Sequence, residues 1–298
     1  MTPRVAILAM LGAMLIFGSV FPFSRYASLH GMRPEDMVVL RYGIAGPALL
    51  PLFIKRGAWQ CAGIGWRKGF LLVLTRGVPM ALLMIGGLSL APAAHGAALG
   101  PGTVTTVGVV YGMIAAGALP GPLTLVGLAT ILAGLISTAI AGTTSGSLEV
   151  MLGDLMFFGS GLLWGFYPIL LYRWRIGPML GTSIVSVLSI PYAVLYLAFG
   201  HPRLLEVGWT LLIGQAVFQG LFTVIFGLWL WGSGVRTLGA ARTQLFPPMI
   251  PVIGTLLAIP VLGEWPGPLQ AFGVAMIVTG LCLSAYGQRR AMRRAAES

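Results

Sequence analysis

Glycines, prolines and charged residues cut the chain into ten apolar segments, at residues 4–27, 34–54, 69–90, 93–117, 122–142, 150–173, 178–199, 208–231, 238–262 and 267–288. Each is close to the roughly 20 residues that a helix needs to cross the ~30 Å hydrocarbon core of a bilayer. A helix satisfies its own backbone hydrogen bonds there, whereas a membrane β-barrel would read as short alternating segments. The pattern predicts an all-α polytopic membrane protein with ten transmembrane helices. The fourth and fifth segments are parted only by Ala118-Leu119-Pro120-Gly121-Pro122, and the ninth and tenth by Glu264-Trp265-Pro266-Gly267-Pro268. Two prolines at a joint cannot continue a helix, so each joint is a tight helical hairpin.

The stretch Leu99–Leu135 is written twice. Shifted by 146 residues it meets Leu245–Leu281 without a gap, and thirteen of thirty-seven positions are identical, including Pro101, Gly108 and the run Pro120-Gly121-Pro122-Leu123. The same offset pairs Met10 with Met156, Pro22 with Pro168 and Tyr26 with Tyr172. The chain therefore divides into a first five-helix repeat at 1–147, a second at 148–288 and a basic tail at 289–298. Five crossings per copy reverse the direction of entry, so the repeats are expected to be inverted. Inverted repeats are a recurring plan of secondary transporters, with a substrate site at the seam and access alternating between faces. The plainer alternative is a duplication that merely builds a stable bundle.

Composition supports the membrane reading: 57% of residues are apolar and 8% charged, against about a quarter charged in soluble domains. Mean hydropathy is +0.92. The formal charge of +11 lies between apolar runs rather than in one patch, which points to membrane orientation and not to nucleic acid. With the N-terminus inside, twelve basic residues (Arg4, Lys55, Arg56, Arg67, Lys68, Arg173, Arg175, Arg236, Arg289, Arg290, Arg293 and Arg294) fall inside. Only Arg25, Arg33 and Arg203 fall outside, so both termini are expected in the cytoplasm. The apolar stretch after Arg4 runs to about Phe23, longer than a signal-peptide core of ~7–15 residues, and reads as a retained first helix. Cys61 and Cys282 offer neither a disulfide framework nor metal spacing. No phosphate-cradling loop, paired histidines or activated nucleophile is present, so neither enzyme chemistry nor a cofactor is expected.

The ten-segment, two-half plan and the ending Leu262-Gly263-Glu264-Trp265-Pro266, followed by Gly273 and Gly280, resemble the drug/metabolite transporter (DMT) superfamily and its EamA-type exporters. Within that group the chain is similar to the YddG-type aromatic amino-acid exporters. The resemblance implies a bacterial-type inner-membrane exporter of the 5+5 fold. Its cavity would be formed by the first, third, fourth, sixth, eighth and ninth helices, and a small metabolite would be its partner beside membrane lipid. Monomer and homodimer both remain open. Small multidrug transporters of the same superfamily carry a membrane-embedded glutamate in their first helix, and Val5 to Tyr26 contains no acid. Neutral, zwitterionic or anionic cargo is therefore expected rather than lipophilic cations.

Polar groups inside a bilayer are costly unless they face a cavity or a partner, so they mark candidates. Arg76 lies about two turns inside its segment, too deep to snorkel easily, and can hold a carboxylate in a bidentate pair or serve structure. For Arg41, nearer a segment end, a structural bond to backbone carbonyls or to Glu35 or Asp36 is favoured. Gln244 suits either cargo or a helix-to-helix bond. His95 is a candidate titrating group, or a structural histidine. Gln215, Gln219, Phe222 and Phe226, at spacings of four, three and four, share one face of an ordinary helix. Trp164 and Tyr167 share another, beside Pro168, and either set lines a cavity or packs. Pro22, Pro101, Pro168 and Pro247 mark hinges, broken helices or fixed kinks. Gly127, Gly134, Gly273 and Gly280 let helix backbones approach closely. The reading is a secondary transporter exporting amino acids, aromatic or large apolar ones foremost, by alternating access. The alternatives are export of other metabolites or drugs, and a non-transporting scaffold or enzyme.

Overall fold

A computed structural model of the chain describes residues 2–117, 119–144, 147–243 and 245–297, and every regular element among them is helical. Eight stretches are long and apolar enough to cross a membrane. They comprise α1 (Pro3–Leu29), α2 (Pro34–Lys55), α3 with α4 (Trp66–Arg76, Val78–Leu90), α5 (Ala93–Ala116), α7 (Leu148–Arg173) and α8 with α9 (Pro178–Leu188, Ile190–Phe199). The others are α10 through α11 (Trp209–Ala216, Gly227–Leu238) and α14 (Pro268–Glu297), which continues through the expected basic tail. Between α7 and α5 in the chain lies α6 (Pro122–Thr144), represented among the spans only by a shorter apolar stretch, Pro122–Thr138.

The ninth predicted segment, 238–262, is not one helix. A short α12 (Ala240–Thr243) is followed by a turn, and α13 (Met249–Leu262) starts only after Pro247-Pro248. Consecutive prolines lack the N–H groups a helix interior needs. The fourteen residues of α13 rise only about 21 Å, short of a bilayer core.

Three spans are interrupted in mid-membrane. α3 and α4 are parted at Gly77 (φ −90°, ψ −142°), where Pro79 follows and removes a backbone donor. α8 and α9 meet at Ser189, ahead of Pro191. Val217–Phe226, between α10 and α11, is wound wider than an α-helix, and the Thr223 hydroxyl donates to the Phe218 carbonyl five residues back, at 2.9 Å. The 146-residue offset carries Gly77 onto Thr223, so the third span of each repeat is interrupted at the same place.

The four glycines named from sequence face one another between α6 and α14. A Cβ at Gly280 would fall 2.6 Å from the Gly127 carbonyl oxygen, and one at Gly134 would fall 2.8 Å from that of Gly273. Rising numbers on α6 meet falling numbers on α14, so the two helices run antiparallel, and the offset converts one glycine contact into the other.

The end of the bundle where α1 meets α2 and α4 meets α5 is here the far end; the opposite, terminal end holds the start of α1. The far half packs around the fully buried Phe157 of α7, whose ring lies where a Cβ on Gly87 or Gly96 would have to sit. Phe21 and Ala97 belong to the same core.

Candidate functional site

In the terminal half the helices part around a cavity of about 330 Å³, within the ~300–1,000 Å³ range of small-molecule sites. Met14 and Phe17 of α1, Arg41 and Tyr42 of α2, Arg76 at the end of α3 and Pro101 of α5 line it. Trp164, Tyr167 and Pro168 of α7, Thr182 and Ser186 of α8, Thr223 in the wide-wound stretch, Trp231 and Pro247 line it as well. The interruptions at Gly77 and in the wide-wound stretch thus abut it. The second, seventh and tenth segments, the last through Leu281, contribute as well as the six that the family resemblance implied.

The polar heart of the site starts with the break at Gly77. Ending α3 there releases the Arg76 carbonyl from the helix ladder, and the Tyr42 hydroxyl donates to it at 3.0 Å. The same break leaves the Arg76 side chain at the cavity, its guanidinium 4.4 Å from the centre of the Trp164 ring, a cation–π contact. Its only other contact of this kind is a weak one, 3.8 Å from Nη1 to the Met80 sulfur.

Next to Tyr42, the buried Arg41 donates from Nε (3.1 Å) and Nη2 (2.5 Å) to the side-chain oxygen of Gln219. Gln219 is fully buried and donates in turn to the Ser24 hydroxyl (2.8 Å) and to the Gln215 side-chain oxygen (3.1 Å). Gln215 then donates to the Phe23 carbonyl at 2.9 Å. This chain of amides holds Arg41 in place without supplying a negative charge.

Of the residues predicted from sequence, Arg76, Trp164 and Tyr167 come together on the cavity wall with Pro101, Pro168 and Pro247. Pro22 lies within α1 away from that wall, and Gln215 and Gln219 stand behind Arg41. The structure separates Phe222 and Phe226 from the two glutamines: both rings are about half-exposed on the outside, centroids 5.5 Å apart. The spacing argument assumed an α-helical turn, and the wider winding rotates the later pair outward. Gln244 lies outside the described residues. Arg41, favoured from sequence as bonded to carbonyls or to Glu35 or Asp36, bonds instead to Gln219 and reaches the cavity. Gly77 was missed, although the run Arg76-Gly77-Val78-Pro79 carried the signal of a break.

His95 lies apart from the cavity, in the far half. Its Nδ1 sits 2.7 Å from Asp154 Oδ1, both side chains buried, while Asp154 Oδ2 has no hydrogen-bond partner. Asp154, placed from sequence at a segment end, is thus part of the packed interior. Two residues before His95, the Ala93 N–H donates to Glu264 Oε2 at 2.9 Å, where a negative charge suits the start of α5. Glu264 Oε1 accepts from Arg25 Nε at 3.0 Å, and Arg25 Nη1 donates to the Leu88 carbonyl at 2.9 Å. Arg25 of α1, the end of α4, the start of α5 and the joint before α14 are thereby tied together at the far end.

Apolar spans around a solute-sized, arginine-bearing cavity define a multi-pass helical membrane protein of the transporter class. The chain belongs to the EamA-like transporter family, whose sequence model matches it twice, over residues 4–140 and 151–286. It is therefore a membrane transporter by family, built from two copies of that unit. It is similar to the "Uncharacterized transporter YyaM" of Bacillus subtilis (strain 168), at 27% identity over 153 residues. That match takes in 48% of this chain and spans half (50%) of the relative's length. A solved crystal structure of a protein has the same fold, with a TM-score of 0.60 and 19% identity over 95% of this chain and 98% of that one.

Proposed function

We propose that the protein is an inner-membrane secondary transporter that exports small amphipathic metabolites by alternating access, with amino acids of aromatic or large apolar side chain as the leading cargo. The observation that carries this reading is the contrast between a cavity confined to the terminal half and a far half packed shut. Two inverted five-helix repeats, at 1–147 and 148–288, account for it. The antiparallel α6–α14 contact supports that inversion, because a two-fold axis between those helices exchanges Gly127–Gly280 with Gly273–Gly134. The charge tally puts both termini in the cytoplasm, so the cavity faces inward in this state.

Arg41 and Arg76 receive the carboxylate of the cargo, and Trp164 and Tyr167 its side chain. Gln215 and Gln219 position Arg41. Two cationic groups on the wall disfavour lipophilic cations, the main alternative among drugs.

The test is counterflow of labelled aromatic amino acids by the purified protein in liposomes. Exchange is expected for the wild type. Trp164→Ala and Arg76→Ala should each cut the rate at least roughly ten-fold, as loss of more than ~1.4 kcal/mol of binding would. Exchange of another class of solute with no amino-acid exchange would contradict the cargo assignment, and wild-type rates in both variants would contradict the site.

A further inference from the structure

The cavity holds two arginines and, among the described residues, no acid. Glu35, Asp36, Glu149, Asp154, Glu206 and Glu264 all lie off its wall, and none of the ion pairs formed by described residues includes Arg41 or Arg76. Arg41 spends two N–H groups on the neutral Gln219 oxygen, which supplies no counter-charge. Among the described residues, the Arg76 side chain meets the Trp164 ring face and the Met80 sulfur, and neither brings a negative charge. Two desolvated cations without a counter-ion are costly in a protein interior, and the missing charge is the most informative feature of the site.

We infer that the cargo is an organic anion with an aromatic or apolar body, recognised through its carboxylate at Arg41 and Arg76, with no recognition of an ammonium group. This rests on the proposed export of small amphipathic metabolites and moves the leading cargo within that class from amino acids to their deaminated counterparts. A zwitterionic amino acid adds no net charge, so it leaves both guanidinium charges uncompensated and brings an ammonium group next to them. The same molecule without its ammonium group contributes a net negative charge to the same planar donors. Its body meets Trp164, Tyr167 and Phe17 as before. Deaminated carboxylates, such as 2-oxo acids, are thus better cargo than the amino acids they match in shape.

Three probes sharing a phenylalkyl body separate these cases: phenylpyruvate (net −1), phenylalanine (net 0) and phenethylamine (net +1). Exchange of each is measured with the purified full-length protein in liposomes at neutral pH. Phenylpyruvate is expected to half-saturate at a concentration at least ten-fold below that of phenylalanine, and phenethylamine neither to exchange nor to compete. Arg76→Gln should raise the half-saturating concentration of phenylpyruvate at least ten-fold and close its gap to phenylalanine; an unchanged gap overturns the assignment to Arg76. Phenylalanine exchanging as well as phenylpyruvate, or any exchange of phenethylamine, overturns the inference and leaves amino-acid export standing. Failure of all three probes while the protein exchanges some other solute overturns both. The ranking in the unmodified protein decides the matter even where the variant does not fold.

Discussion

At the far end of the bundle, Arg25 with Glu264 and His95 with Asp154 link α1, α5, α7 and the joint before α14. In the sequence, the 146-residue offset makes Leu171, Ala118, Ala241 and Leu8 their counterparts, and none of these can carry a charge. Leu171 in fact lines the cavity. Two halves that descend from one unit have thus diverged where they close. Polar pairs tie the far end together, and the offset carries none of them to the other end. Hydrogen-bonded polar pairs fix a geometry and leave costly unpaired groups when parted, whereas apolar contacts are less directional. On this account the closed far end is a defined, latched state and the terminal end the more readily opened one.

The comparison breaks most visibly at its buried pair. Asp154→Ala leaves His95 without its partner in the buried far half and should cost about 3 kcal/mol, the upper end for an unsatisfied buried polar group, seen as a lowered midpoint of thermal unfolding in detergent. The equivalent change at the other end, Leu8→Ala, removes a side chain that is 67% exposed and should stay within about 0.5 kcal/mol. Similar losses for the two would remove the asymmetry.

A smaller effect is expected at the axis between the repeats. Gly280→Val inserts carbons against the Gly127 carbonyl and should cost about 1–3 kcal/mol, whereas Gly108→Ala, where an added Cβ meets no neighbour, should be close to neutral. The smallest effect belongs to the exposed side of the latch. Glu264→Gln weakens the bonds to Arg25 and Ala93, and should cost about 1–2 kcal/mol while raising the labelling rate of a reporter thiol introduced as Ser89→Cys.

Much of the fold was legible in the chain itself. The spacing of apolar runs located eight of the ten expected spans, the fifth and ninth segments holding only shorter apolar helices, and the repeat offset found the glycines at which α6 and α14 meet. What sequence periodicity could not convey was departure from the α-helix. The wide winding at 217–226 turned Phe222 away from Gln219, and Pro247-Pro248 delayed the start of α13. Pairings across the fold were equally hidden. Asp154 looks terminal in its own helix and is buried only because His95, 59 positions away, folds onto it. Arg41 looked like a surface-proximal arginine until Gln219, 178 positions on, was placed beside it. Trp164, Tyr167 and Arg76 were readable because each lies well inside an apolar segment, where packing or a cavity are the only choices.

On the proposed alternating-access mechanism, opening of the far end requires Arg25 and Glu264 to part. The direct measurement is transport by the Arg25→Cys/Glu264→Cys protein, in a Cys61→Ala/Cys282→Ala background, before and after bridging with a short cleavable bifunctional thiol reagent in liposomes. Bridging is predicted to stop exchange, and cleavage of the bridge to restore it. Undiminished exchange through the bridged protein would mean that the far end never opens there, and would contradict the account.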